Sequence, residues 1–408
     1  MLISPEKTIP EVLMPLALIG THIYLTIRLR LPQRKTAQGI RLSLRGGGFS
    51  TLAVQLSAAL GVGNIAGVAL AIVCGGPGAV FWCWLSGAFG IATTFAEARM
   101  TLECRRKGGR EDCGPWLAMR RITGLFYAAV IAAGGLFIGS MIPANAIAAA
   151  LPIPPYITAC LLGIMTALAA FGGLPGLQRA CERLIPITAG IYLLGCAAVL
   201  FVCRDALSGA VASIFRETFS FRAAAGGALG SAPVFGAVRW GAARGLFSNE
   251  AGIGTAGIAA ADLPDGEPGQ QALVSATATF WDTVVFCGIT GLAFVCALGR
   301  LPMIPQDGIA FSTAVFSLLP YGGILLRLIV VLLGYACILG WCCIGTRAFR
   351  HVCPEVPSGV YAAFWTVSAV LGALLSAGVI WKLSDLLNAA AICPMLYTLW
   401  RYYGRVQT

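Results

Sequence analysis

Gly61-Val62-Gly63-Asn64-Ile65-Ala66-Gly67 and Ser248-Asn249-Glu250-Ala251-Gly252-Ile253-Gly254 decide the fold, because each interrupts a long apolar run with glycines and polar side chains. A continuous helix in hydrocarbon would carry Leu and Val at these positions. Backbone unwound at that depth leaves N–H and C=O groups unpaired, so it persists only where protein, water or a ligand supplies partners. Two such interruptions, one in each half of the chain, are the sequence signature of a solute site built between broken helices.

The surrounding 408 residues are 58% hydrophobic and 11% charged, with mean hydropathy +0.83. These values exclude an ordinary soluble domain and fit an all-α polytopic membrane protein. The runs do not alternate apolar and polar residues, which excludes a β-barrel. Stretches able to cross about 30 Å of hydrocarbon number roughly eleven. They fall at 10–27, 50–73, 78–100, 122–150, 155–172, 184–203, 239–262, 271–299, 321–348, 359–380 and 383–403. Setting aside the first, the chain divides into repeats at 50–203 and 239–403, each opened by a broken helix. Repeats of five spans insert in opposite orientations, forming a single transmembrane domain with an extra N-terminal helix.

The net charge of +11 is a topology signal, not a nucleic-acid footprint. Arg28 to Arg45 crowd the first loop and Arg99 to Arg121 the third; Arg179, Arg183, Arg347, Arg350, Arg401 and Arg405 mark later loops on the same side. The positive-inside rule makes these segments cytoplasmic, with the N-terminus outside and the C-terminus inside a cell membrane. Asp262, Asp265 and Glu267 make one cytoplasmic loop acidic. The start, Met1-Leu2-Ile3-Ser4-Pro5-Glu6-Lys7, lacks the pattern of a cleaved signal peptide, so the first span reads as an anchor. Between the sets, Ser213 to Phe219 has the pattern of a short interfacial helix. Most of the fifteen cysteines lie in apolar spans, where thiols behave as small hydrophobes. With two histidines and no paired Cys-x-x-Cys pattern, a structural metal site has little to draw on.

At the first break, Gly61 and Gly63 free the backbone and Asn64 places an amide at mid-depth. Gly67 is explained by helix packing alone. The glycine pattern lacks the strand and acidic residue of a dinucleotide turn. At the second break, Ser248 and Asn249 supply oxygens, Gly252 and Gly254 permit close approach, and Glu250 either bonds backbone amides of the turn or meets the ligand. Two more carboxylates lie within spans. Glu97, beside Arg99, reads as a gate or a structural ion pair; Asp282 reads as part of a polar network around the second break. Trp341 is core filler or a cap over a small apolar side chain, and Asn145 and Asn388 are amides that need partners.

These residues resemble the alanine/glycine:cation symporter family, the sodium:alanine symporters of bacteria and archaea. The resemblance is carried by Gly61 to Ala69 with Gly75-Gly76-Pro77-Gly78-Ala79-Val80-Phe81-Trp82, by Phe95-Ala96-Glu97-Ala98, and by Arg244 to Gly254. Asp282-Thr283, Leu339-Gly340-Trp341 and Asp385-Leu386-Leu387-Asn388 extend it. It implies the leucine-transporter fold and sodium-coupled import of small neutral amino acids such as alanine and glycine, with no organic cofactor and no enzymatic activity. It further implies substrate contacts at Val62, Gly63, Ser248, Asn249, Gly252 and Trp341, joined by Asn64 from the reading of the first break. The reading of the residues makes Glu97, Glu250 and Asp282 candidate coupling or gating carboxylates, and the resemblance implies a sodium site near Ala59, Ala336 and Cys337. Several positions depart from the family pattern: Val62 replaces a Thr, Pro143 a Gln, Ala336 and Cys337 hydroxyl residues, and Cys342-Cys343 a Ser-Tyr pair. Thiols are poor ligands for a hard cation. Proton coupling through the three carboxylates and a sensor that binds without transporting are the alternatives to sodium symport.

Overall fold

A computed structural model describes residues 14–45, 47–108, 113–218, 241, 248 and 250–405; among them every regular element is helical. The first helix, α1 (Met14–Arg28), is followed by α2 (Thr36–Ser43) and α3 (Gly48–Ala59). After α3 the chain unwinds at Leu60-Gly61, makes a π turn over Gly63–Gly67 and resumes as α4 (Val68–Gly75). The two pieces of this first broken helix are bent by 56°. Next come α5 (Gly78–Gly108), α6 (Arg121–Leu136), which continues through a π turn at Phe137–Met141 into α7 (Ile142–Ala150), α8 (Pro155–Phe171), α9 (Gly173–Val202) and α10 (Leu207–Glu217).

Beyond Ser248, the second break passes through positive φ at Glu250, Gly252 and Gly254 before α11 (Thr255–Ala260). Then follow α12 (Pro268–Thr279), a π segment at Phe280–Cys287, α13 (Gly288–Ala297) and α14 (Gly308–Phe316). The chain closes with α15 (Gly322–Val352), α16 (Ser358–Leu374) and α17 (Ala377–Arg405). Three long-range pairings organise the packing: α5 lies along α12, α6 along α15, and α8 along α16, while α9 packs on α15 and α3. Between these pairs, α3 and α11 pack against each other and against α15.

Among the described residues, six helices are long and apolar enough to cross a bilayer, or seven counting the bent pair as one span. This is fewer than the eleven expected spans, and shorter apolar helices are present beside them. Pro155–Phe171 and Ser358–Leu374 have 17 residues each, and α1 has 15 described residues. Residues 10–13 of the first expected span and 239–247 of the seventh, except Gly241, lie outside the described residues. Two expected limits shift. The span placed at 184–203 begins at Gly173, since Pro186 is accommodated inside a continuous helix. The last two spans divide at Leu375, not near residue 381, because Asn145 Nδ2 donates to the carbonyls of Gly372 (3.2 Å) and Leu375 (2.8 Å) and ends the helix there. The short helix expected at Ser213 to Phe219 is centred earlier, at Leu207–Glu217, and Phe219 lies outside the described residues.

The extra helix is tied to the bundle by specific polar contacts. His22 Nδ1 lies 2.6 Å from Thr93 Oγ1 on α5, Trp400 Nε1 donates to Thr21 Oγ1 at 2.9 Å, and the Tyr24 and Trp400 rings stack.

Candidate functional site

Asn64 joins the two breaks. Its Oδ1 accepts the Gly61 N–H at 3.0 Å, which satisfies a backbone donor freed by the unwinding. Its Nδ2 donates to Ser248 Oγ (2.9 Å) and to Asp282 Oδ1 (2.7 Å). Ser248 Oγ in turn donates to Asp282 Oδ2 at 2.8 Å, as does Thr283 Oγ1 at 2.7 Å. Asp282 thus accepts three hydrogen bonds, and Asn64, Asp282 and Thr283 are all 0% exposed. A buried network with its members mutually satisfied is rigid, so it pins the two breaks to the segment after α12.

Glu250 occupies the left-handed region at φ 54°, a conformation that costs a non-glycine residue about 1–3 kcal/mol. Its carboxylate accepts Trp341 Nε1–H at 2.9 Å and a hydroxyl from Thr255. Trp341 is buried in α15 against Gly139 of the second π turn, where a Cβ would fall 2.0 Å from the Trp341 Cβ. These partners are side chains and not the backbone amides of the turn that one of the two readings expected.

Glu97 does not pair with Arg99, whose Nε instead bonds Glu103 Oε1 at 2.7 Å. The structural ion pair expected there is corrected: Glu97 Oε1 accepts the Gly252 N–H at 2.6 Å. Tyr127 Oη donates to the Ile253 carbonyl at 2.6 Å, so both donor and acceptor groups of the second unwound turn have partners. Gly252 faces Glu97 and the extra helix, since a Cβ there would lie 2.4 Å from Leu18 Cδ2. Val62 is half-buried and Gly63 exposed, with open space beside it. Asn249 lies outside the described residues. Near the sodium position implied by resemblance, Cys337 Sγ donates to the Ala58 carbonyl at 3.3 Å, Ala336 is fully buried, and Ala59 is half-buried.

Each π segment carries a piece of this centre: Asn64 in the first, Gly139 in the second and Asp282 in the third. A π turn inserts one extra residue and re-aims the side chains around it, which is why these turns recur at functional sites. At the basic end of the bundle, Asp262 forms an ion pair with Arg347 of α15 and accepts Gln178 Nε2 of α9 at 2.6 Å. Arg105 of α5 binds the carbonyls of Ala261 and Leu263, each at 2.8 Å. The acidic loop thereby closes onto three helices, a function that the sequence reading did not give it.

An all-helical bundle in which two breaks meet at the centre is that of the leucine-transporter fold. MhsT, solved in complex with L-phenylalanine, superimposes with a TM-score of 0.60 at 17% identity, covering 88% of this chain and 89% of that one. The chain belongs to the sodium:alanine symporter family, which it matches over residues 3–404. It is therefore a multi-pass membrane transporter and not an enzyme. Among its relatives, the sodium/alanine symporter AgcS of Methanococcus maripaludis is 35% identical, over 93% of this chain and 89% of the relative. The amino-acid carrier protein AlsT of Bacillus subtilis is 33% identical, over 74% and 67%.

Proposed function

We propose that this protein imports a small neutral amino acid of the alanine/glycine class by sodium symport, alternating access around the two interrupted helices. The observation that carries this reading is the Asn64–Ser248–Asp282 network, which couples both broken helices at one point in the centre of the bundle. A solute bound beside it contacts both repeats, so binding there biases how the repeats sit against each other. Val62, Gly63, Asn249 and Trp341 form the proposed substrate contacts with Asn64, Ser248 and Gly252; Glu97, Glu250 and Asp282 are the proposed coupling or gating groups. The bulk of Trp341 at the wall favours a small side chain. The distribution of Arg and Lys supports an N-terminus outside and a C-terminus inside the cell, and the helix pairing supports repeats at 50–203 and 239–403 after the extra helix.

Three buried carboxylates, Glu97, Glu250 and Asp282, have no ion-pair partner among the described residues, which keeps proton coupling as the second reading. Uptake of labelled alanine and glycine into proteoliposomes under separate sodium and proton gradients tests both. Accumulation driven by sodium is the expected result. Accumulation driven by protons alone overturns sodium coupling, and binding without accumulation under any gradient overturns transport.

A further inference from the structure

The extra helix α1 precedes both repeats in the chain, yet it reaches the second break. Leu18, buried in α1, lies so close to the turn that a Cβ at Gly252 would fall 2.4 Å from its Cδ2, and Leu396 of α17 borders the same point at 3.4 Å. Gly252 also sits at φ 100°, a conformation that favours glycine. Its N–H is the group that Glu97 of α5 accepts at 2.6 Å. The turn is therefore gripped between a carboxylate on one helix and an apolar wedge on another.

One helical turn away, the same two helices meet again. His22 follows Leu18 by four residues and Thr93 precedes Glu97 by four, so each pair shares a face of its helix, and His22 Nδ1 lies 2.6 Å from Thr93 Oγ1. Both side chains are 0% exposed. On the same helix Thr94 and Thr101 bond the carbonyls four residues back, those of Gly90 and Glu97, whereas the Thr93 hydroxyl is turned to His22. His22 Nε2 is buried with no hydrogen-bond partner among the described residues. An imidazole only half satisfied between apolar helices costs stability that a leucine would not, so packing alone does not account for it. What one polar pair supplies in an apolar helix interface is register. A slide of α1 by one residue, about 1.5 Å, would break the His22–Thr93 contact and carry Leu18 off the turn.

We infer that α1 is a prop for the second break, with His22 and Leu18 as positioning residues for transport: His22 clasps Thr93 and sets the register of α1 on α5, and Leu18 bears on Gly252. The inference rests on the transport reading above and brings into it a helix outside the two repeats. Trp400 of α17 bonds Thr21 and stacks on Tyr24, so α1, α5 and α17 close around the turn as one unit. The lie of α1 on α5 thus sets the room in which the turn can move. None of His22, Thr93 and Leu18 is a proposed substrate contact, so loosening the clasp acts on the maximal rate of uptake and not on half-saturation.

Amide hydrogen exchange over residues 250–258 of the purified full-length protein tests the prop without transport, beside uptake of labelled alanine into proteoliposomes. His22→Leu and Thr93→Val, each close in size to the residue replaced, remove the clasp. Each should speed exchange over 250–258 by about tenfold and leave α8 and α16 as in wild type. The double variant should be no faster than either single one, because both remove the same contact. His22→Asn, whose amide reaches the place of Nδ1, should return exchange toward wild type. In uptake, His22→Leu should lower the maximal rate by about fivefold or more and move the half-saturating alanine concentration by less than about twofold. Leu18→Ala opens space over Gly252 without touching the clasp; it should speed the same amides and serves if the clasp variants do not fold, as judged by size-exclusion chromatography. Wild-type exchange over 250–258 in the folded variants overturns the proposal, as does a rise spread evenly over the bundle or a loss confined to half-saturation. A wild type that accumulates no alanine under any gradient, while the exchange pattern is as expected, overturns the transport reading and leaves the contact between α1 and the break standing.

Discussion

Glu97 Oε1 lies 2.6 Å from the backbone nitrogen of Gly252, so a carboxylate from α5 caps the second interrupted helix where it has no intrahelical partner. A backbone donor left unpaired in a buried site costs about 1–3 kcal/mol, and more where the lost acceptor is charged. Glu97→Ala should lower sodium-driven uptake by about tenfold or more and reduce thermal stability in detergent. Glu97→Gln retains an acceptor oxygen and should keep a larger share of both. Equal losses in the two variants would show that the charge, not the capping bond, matters.

Asn64 uses both ends of its amide, accepting from Gly61 and donating to Ser248 and Asp282. Asn64→Ala removes the bond between the breaks while leaving Ser248 on Asp282. Ligand binding, measured by isothermal calorimetry, should weaken by about a hundredfold, the equivalent of roughly 3 kcal/mol. Asn64→Asp should be worse than Asn64→Ala, because it sets a second carboxylate beside Asp282. An Asn64→Asp protein that binds like wild type would contradict the network.

Two glycines on one face of the α6 to α7 helix make a controlled pair against Trp341. At Gly139 a Cβ would fall 2.0 Å from the Trp341 Cβ and 2.2 Å from its Cγ, whereas at Gly134 the nearest Trp341 atom would be at 3.5 Å. Gly139→Ala should displace Trp341, cost about 1–3 kcal/mol and abolish uptake. Gly134→Ala should change stability by no more than about 0.5 kcal/mol. Differential scanning fluorimetry beside transport assays checks the contrast, and equal tolerance at the two positions would refute the placement of Trp341.

Asp262 and Arg347 pair where α11 ends against α15, with Arg347 7% exposed. Removing one partner of a largely buried pair is destabilising. Asp262→Ala should therefore loosen this end of the bundle, seen as faster amide hydrogen exchange over residues 255–263 than in wild type. Unchanged exchange there would mean that Arg105 and its bonds to Ala261 and Leu263 suffice.

The helical class was legible in the length and apolarity of the runs, and the two breaks were legible because glycine and amide side chains are costly in lipid. Asp282 was legible for the same reason, as an ionisable group inside a span. Other features were not. Arg99 stands two residues from Glu97 and suggested an ion pair, yet on a helix such neighbours do not share a face, and Arg99 pairs with Glu103 one turn away. The π turns at Phe137–Met141 and Phe280–Cys287 have no composition of their own.

The sequence by itself determined that this chain is a bundle of membrane-embedded helices with two deliberate interruptions, because apolar run length and a polar group in hydrocarbon are local properties with large energies. Only the tertiary structure decided which group satisfies which. Asn64 meets Asp282 across 218 positions, Glu97 meets Gly252 across 155, and Glu250 meets Trp341 across 91. Partnerships at such separations depend on how helices turn and pack, and a single π turn is enough to redirect a side chain from one partner to another.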